Sequence, residues 1–313
     1  MEFLQLAKIS SNLESHPTLI LIIATLAVGP AAILVRFALE NDAALIAFYR
    51  VLIVGVISVS IAKITGEKNI LPRNSKEAGL ILLAGLSLGC HFVLWFESLR
   101  YAPVAVSVLL VTTTPIWMTV AALIFLGIPP TRNESISIGL VFVAISIMVL
   151  QINQEAELVL DENLAFGGFL AISASWLVVV YFFIAKKMLR TRSLWGYFGL
   201  VNLFAAMFLA CYLLLTSREF TAATPSDYIV FLLLALGPSL IGHAGYNYSM
   251  KLVRPHEVGF AILGEPIIAS VLAVIIFSEI PSISTWIGGA LLLTALYLVV
   301  VTNRDKTRVN SIQ

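Results

Sequence analysis

Ten stretches of the chain are almost continuously apolar, and proline, glycine or clusters of charge separate them. They lie near residues 18–38, 43–62, 77–99, 103–126, 135–152, 165–185, 194–216, 228–251, 256–278 and 283–302. A helix that crosses a membrane needs about 20 mostly apolar residues, and these stretches are too long and unbroken for the strands of an outer-membrane barrel. The pattern therefore predicts an all-α integral membrane protein with ten transmembrane helices.

The composition agrees with this class and excludes others. Apolar residues make up 59% of the 313 residues and charged residues only 12%, whereas a soluble domain carries about 25% charged residues. A formal net charge of +1 gives no reason to expect nucleic acid as a partner.

Cys90 and Cys211 form neither a disulfide framework nor a metal-ligand spacing. No His-Glu-x-x-His, paired-aspartate or Ser-His-acid set is present, so we expect no enzyme, no metal and no cofactor.

Lysine and arginine residues are distributed unevenly between the two sides of the predicted bundle. Fifteen of the nineteen fall on the side that carries both termini, and only Arg36, Arg100 and Arg218 fall on the other. Short loops rich in these residues stay in the cytoplasm, so both termini are predicted to be cytoplasmic. With no cleavable signal, transit peptide or retention signal recognised, we expect the plasma membrane, most simply a prokaryotic inner membrane.

The second half of the chain repeats features of the first at an offset of 152 residues. The matched features are a Ser-Leu-x-x-His motif, two prolines and one polar residue inside a stretch. They pair Ser87–His91 with Ser239–His243, Pro103 with Pro255, Arg50 with Asn202 and, with a one-residue slip, Pro115 with Pro266. Because each half holds five predicted helices, the second half enters the membrane from the opposite side. Inverted repeats of this kind are typical of secondary transporters, whose substrate sites lie near the midplane between the halves.

This repeat divides the chain into five parts. The predicted parts are a cytoplasmic tail at 1–16, a first five-helix repeat at 17–152, an acidic outside linker at 153–164, a second five-helix repeat at 165–302 and a cytoplasmic tail at 303–313.

Several short motifs carry a resemblance to a known family. They are Arg50, Ser98-Leu-Arg-Tyr-Ala-Pro103, Thr112-Thr-Thr-Pro115, Phe125-Leu-Gly127, Trp176, Tyr246-Asn-Tyr-Ser249, Leu263-Gly-Glu-Pro266, Ser278-Glu279 and Gly288-Gly289. Over about residues 18–302 the chain resembles an EamA-type member of the drug/metabolite transporter superfamily. The resemblance implies a ten-helix exporter or exchanger with alternating access. It also implies that the first four and the sixth to ninth helices line a central cavity, with the fifth and tenth peripheral.

Two departures from the family pattern leave the subfamily open. Ile128 stands where the first half often has a glutamate, and Val28-Gly29-Pro30 replaces a frequent Trp-Gly pair in the first stretch.

Polar residues inside the stretches are the candidate site, because ionisable groups in a membrane are costly and mark function by default. The candidate substrate-binding residues are Arg50, His91, Trp95, Asn202, His243, Tyr246 and Asn247. Spacings of three and four residues place His91 and Trp95 on one helix face, and His243 and Asn247 on another. Each stripe either lines a cavity or makes hydrogen bonds between helices. Tyr49, Trp176 and Tyr181 occupy positions that also favour the cavity.

The two charged candidates each allow two interpretations. Arg50 is either a bidentate partner for a substrate carboxylate or phosphate, or a structural anchor. Glu265, before Pro266, either carries a proton or bonds to groups near a kink. Pro115 and Pro266 are predicted helix breaks.

One fixed positive charge among aromatic and amide groups suits a small zwitterion or an amphipathic acid better than a phosphorylated solute. The sequence therefore predicts a secondary transporter that exports an amino-acid-like or amphipathic metabolite, with protons as a candidate coupling ion. The alternatives are an exchanger or importer of a nucleotide-derived or cofactor-type solute, and a sensor or scaffold that transports nothing. The expected partners are a small molecule and the lipid bilayer, and a homodimer is compatible with the sequence.

Overall fold

The structure, a computed structural model, describes residues 16–68, 70–155, 162–278 and 283–310. Residues 1–15 of the predicted tail at 1–16, part of the acidic linker and Glu279 lie outside these ranges. The helices of the first half are α1 (Pro17–Val28), α2 (Ala31–Phe37), α3 (Ala43–Ile64), α4 (Ser75–Tyr101), α5 (Val104–Val111), α6 (Thr114–Leu126) and α7 (Arg132–Glu155). The second half contains α8 (Glu162–Met188), α9 (Leu194–Leu215), α10 (Asp227–Leu234), the π-helix π1 (Ala235–His243), α11 (Ala244–Leu252), α12 (Pro255–Ile262), α13 (Gly264–Phe277) and α14 (Ile283–Asn310).

Eight helical stretches in the described residues are long and apolar enough to cross a membrane. They are Pro17–Phe37, Ala43–Ile64, Ser75–Tyr101, Val104–Leu126, Asn163–Met188, Leu194–Leu215, Asp227–Leu252 and Pro255–Phe277. Large apolar side chains such as Phe125, Leu215 and Ile275 are exposed on their outer faces, as expected where lipid is the solvent. The protein is a multi-pass membrane protein. The fifth and tenth predicted stretches are the helices α7 and α14, and α14 contains a shorter apolar part, Trp286–Val299.

Two of these stretches are interrupted at matching places in the two halves. Thr112 and Thr113 separate α5 from α6, and Leu263 separates α12 from α13. Pro115 and Pro266 stand in the first turn of α6 and α13. Proline fits there because its missing N–H and fixed φ suit the first turn of a helix, whereas it disrupts an interior. A third interruption, at Gly29 and Pro30, separates α1 from α2.

A π-helix replaces α-helix in the middle of the stretch Asp227–Leu252. It contains Pro238, which cannot donate an N–H to the preceding turn. π-Helical turns are rare and occur often at functional sites. Ser239 and His243, two of the repeat-matched residues, both lie in this segment.

The two halves are joined through two long helix pairs. α4 of the first half packs along α8 of the second, and α3 packs along α9. α7 and α14 pack on each other at a separate apolar cluster, where the Ser137 hydroxyl donates to the Ala295 carbonyl at 2.9 Å. The centre of the molecule therefore lies between α3, α4, α8 and α9 and the broken helices.

Glycines let α9 lie directly against α3 and α4. A Cβ at Gly85 of α4 would lie 2.9 Å from the Val201 carbonyl oxygen and 3.0 Å from the Ala205 amide nitrogen. Cβ atoms at Gly55 and Gly199 would each lie 2.9 Å from a backbone nitrogen across the α3–α9 contact. Small residues at such contacts allow helix backbones in membranes to approach closely.

We expect Gly85→Ala to lower the melting temperature of the purified protein. The added methyl group meets backbone atoms that can move only with α9, and overpacking of this kind costs about 1–3 kcal/mol. Gly79→Ala is the matched control in the same helix, because a Cβ there meets no atom within 4 Å and alanine favours helix. Equal melting temperatures for the two variants would contradict the close contact.

Candidate functional site

A small cavity lies where the broken helices of the two halves meet. It is lined by Val28, His91, Trp95, Val111, Thr112, Thr114, Val178, Phe182, His243, Tyr246, Ile262 and Glu265. Its volume of about 30 Å³ holds about two water molecules. A metabolite therefore fits only after the surrounding helices move apart. Five sequence-predicted residues, His91, Trp95, His243, Tyr246 and Glu265, are brought together here.

The two repeat-matched histidines lie side by side in the cavity wall, with ring centroids 6.3 Å apart. His91 Nδ1 is 2.8 Å from the Ala174 carbonyl oxygen. Because a carbonyl only accepts, Nδ1 carries the proton of the neutral ring, and Nε2 is left as an acceptor. His243 packs edge to face against Phe92 at 5.2 Å and parallel to Phe182 at 6.2 Å. Both rings line the cavity, and His91 also makes a hydrogen bond to another helix, whereas the contacts of His243 are with neighbouring rings.

Glu265 is held by a short chain of hydroxyl groups. The Tyr246 hydroxyl lies 3.0 Å from Glu265 Oε1 and 3.0 Å from Thr25 Oγ1. The Thr25 hydroxyl in turn lies 2.8 Å from the Leu21 carbonyl and 3.1 Å from the Ala261 carbonyl. Tyr246 can donate its single proton to an ionised Glu265, or to Thr25 when a protonated Glu265 donates to Tyr246. The chain therefore accommodates Glu265 in both protonation states.

Arg50 is fully buried but does not line the cavity. Its Nε donates to Ser239 Oγ at 2.6 Å, and its guanidinium carbon lies 3.9 Å from the centroid of the Phe92 ring. Nη1 and Nη2 have no hydrogen-bond partner among the described residues. The side chain links α3 to π1, across the two halves, and the Phe92 ring contacts both Arg50 and His243. A bond of this kind between the halves is what the structural-anchor interpretation predicts.

The structure places Asn202 and Asn247 outside the cavity lining, in contrast to the sequence prediction. The Asn202 amide donates to the Phe198 carbonyl of its own helix at 2.8 Å, so it does not repeat the contact that Arg50 makes with the other half. Asn247 donates to the Tyr181 hydroxyl and, at 2.6 Å, to the His243 carbonyl. These short local partners hold both amides within the helix packing.

The three aromatic residues expected near the cavity also lie elsewhere. Tyr181 is buried beside Asn247, and the Tyr49 hydroxyl donates to the Phe220 carbonyl at 2.8 Å. The prediction for Trp176 is wrong, because its side chain is 54% exposed on the outer surface.

Other residues of the site were missed by the sequence analysis. Phe182, Thr112 and Thr114 line the cavity, and Thr25 bonds to Tyr246. The run of three threonines directly before Pro115 is a signal for a polar site, because polar side chains at a helix break lie near backbone groups that have lost their helical partners. Nothing in the sequence separates Phe182 from the many other apolar residues of α8.

Polar contacts fix loops to helices near both ends of the bundle. At the end that carries the loop between α2 and α3, Arg100 donates to the Leu39 carbonyl at 2.7 Å and to the Asn41 carbonyl. At the opposite end, the Lys186 ammonium donates to the carbonyls of Met250 and Val253 at 2.9 and 3.1 Å. These contacts hold the loop between α2 and α3 against α4, and the connection between α11 and α12 against α8.

Comparisons with known proteins agree with this architecture. A family model described as the EamA-like transporter family matches residues 17–150 and 165–301. A solved structure, described only as the crystal structure of a protein, is similar over 92% of this chain and 98% of its own, with a TM-score of 0.73. At 17% sequence identity, this likeness shows the fold alone. No curated protein matches the sequence.

Proposed function

The chain belongs to the EamA-like transporter family, and we propose that it exports a small amino-acid-like or amphipathic metabolite as a secondary active transporter with alternating access. The observation that carries this proposal is the pairing of His91 and His243, 6.3 Å apart, from equivalent positions of the two halves. A site built from both repeats is what alternating access requires, because motion of one half against the other changes which side reaches it.

The proposed topology has ten transmembrane helices in two inverted five-helix repeats, with α7 and α14 as the fifth and tenth. Both termini would lie in the cytoplasm, because fifteen of the nineteen Lys and Arg residues fall on their side. The contacts of Arg100 would then be extracellular and those of Lys186 cytoplasmic. We propose a prokaryotic plasma membrane as the location.

The lining of the cavity supports a small substrate with little charge. It has one carboxyl group, two histidines and three larger aromatic rings, and it contains neither Lys nor Arg. A phosphorylated or nucleotide-derived solute needs several cationic partners within the membrane. The lining therefore argues against an exchanger of nucleotide-derived solutes. A site shared by both halves argues against a non-transporting sensor, because a sensor does not need one.

The test is flux into inside-out vesicles that contain the purified protein, measured with a panel of labelled amino acids. We expect at least one amino acid to accumulate above the level in protein-free vesicles. Flux of a phosphorylated solute and of no amino acid would contradict the proposed substrate class. The absence of flux for every solute in the panel would favour the sensor alternative.

A further inference from the structure

The described residues that line the cavity include one carboxyl group and no permanently cationic side chain. Glu265 supplies the only carboxyl group among the lining residues, and no lining residue is a lysine or arginine. Arg50 is a buried cation that does not line the cavity; its Nε donates to Ser239, and its guanidinium carbon lies 3.9 Å from the centroid of the Phe92 ring. A ligand in the cavity therefore touches a carboxyl group and no cationic side chain among the lining residues.

The hydrogen-bonding groups of the lining are mostly acceptors. His91 Nε2 accepts, because Nδ1 already donates to the Ala174 carbonyl. The Thr112 hydroxyl donates to the Val108 carbonyl at 2.8 Å and the Thr114 hydroxyl to the Val111 carbonyl at 3.0 Å, so their oxygens remain as acceptors. Trp95 Nε1 is a donor without a partner in the described part of the chain, and His243, whose Nδ1 also lacks a partner there, offers one donor and one acceptor when neutral. The site thus offers a ligand several acceptors around a carboxyl group and few donors.

Aromatic rings surround this group of acceptors. Trp95, Phe182 and Tyr246 all line the cavity, and the faces of such rings attract cations. An ammonium group has three donors and no acceptor, so it matches both the acceptors and the rings. A carboxylate in the same place would meet Glu265 with no cation in contact, and a like charge at close range is unfavourable.

We infer that the cavity recognises its substrate by a protonated amine on an apolar or aromatic body, with Glu265 as the counter-charge, rather than by a carboxylate. This inference rests on the proposed function and narrows it: the amino group of an amino-acid-like substrate is the end that binds, and simple amphipathic amines are substrates as well. Arg50 then has no direct contact with the substrate.

A matched pair of probes tests the inference on the full-length protein in detergent. 2-Phenylethylamine and 3-phenylpropionate carry the same ring on a similar chain and opposite charges, and isothermal titration calorimetry measures their binding. We expect the amine to bind about tenfold or more tighter, since hydrogen bonds to charged groups are among the stronger ones. Glu265→Gln should remove this preference, whereas Glu40→Gln, an exposed carboxyl group, should leave it unchanged.

Measurements of binding and of flux distinguish a failure of the amine inference from a failure of the transport proposal. Equal binding of both probes, tighter binding of the carboxylate, or an unchanged preference in Glu265→Gln would overturn the inference. If vesicles then still carry flux of an acidic or neutral amphiphile, the transport proposal stands. Amine binding that depends on Glu265, without flux of any solute, supports the recognition of amines and contradicts transport.

Discussion

Glu265→Gln is expected to abolish any dependence of flux on a pH gradient while the protein remains folded. The amide keeps an oxygen that accepts from the Tyr246 hydroxyl, 3.0 Å away in the native chain, but it cannot take up a proton. If Glu265 is the proton carrier, flux in proteoliposomes with an imposed pH gradient should fall to the level seen without a gradient.

The control for this prediction is Glu40→Gln, which removes a carboxyl group from the exposed surface. It should respond to the gradient as the unmodified protein does. A Glu265→Gln protein whose flux still follows the gradient would exclude this carboxyl group as the carrier and leave it as a bonding partner of Tyr246.

His91→Ala and His243→Ala are each expected to reduce flux about tenfold or more, because a lost contact in an enclosed polar site costs about 1–3 kcal/mol. The rings lie 6.3 Å apart and form the shared wall of the two halves. His91→Ala also leaves the Ala174 carbonyl without its donor. The initial rate of uptake in proteoliposomes measures the effect.

Melting temperatures decide whether such a loss reflects the site or the fold. His16→Ala, at the exposed start of α1, serves as the control for removing a histidine. Variants of His91 and His243 that melt near the native temperature and lose flux would support the cavity role. Full flux in both variants would mean that the histidine stripes serve only packing.

The hydrophobic pattern was enough to predict a helical membrane protein, because long apolar runs have few other stable structures. The repeat of Ser87–His91 as Ser239–His243 was enough to predict that two histidines belong together. Pro115 and Pro266 marked positions at which the helices are interrupted, because proline cannot continue the hydrogen bonds of a helix interior.

The face that each helix turns toward the cavity was harder to predict. In a membrane both the lipid-facing and the protein-facing sides of a helix are apolar, so an apolar stripe does not identify the buried side. Trp176 was assigned to the wrong side for this reason. Polarity alone places Asn202 and Arg50 in the cavity, yet each has a hydrogen-bond partner elsewhere: the Phe198 carbonyl of the same helix for Asn202, and Ser239 of the other half for Arg50.

The glycine contacts of α9 also determine how the molecule can move. Where Gly55, Gly85 and Gly199 bring backbones together, there are few side-chain rotamers that could change to absorb a displacement. Under the alternating access that we propose, the seam between α9 and its neighbours would therefore move as one rigid unit. A tilt about this seam would displace the ends of the bundle most, where Arg100 and Lys186 make their contacts.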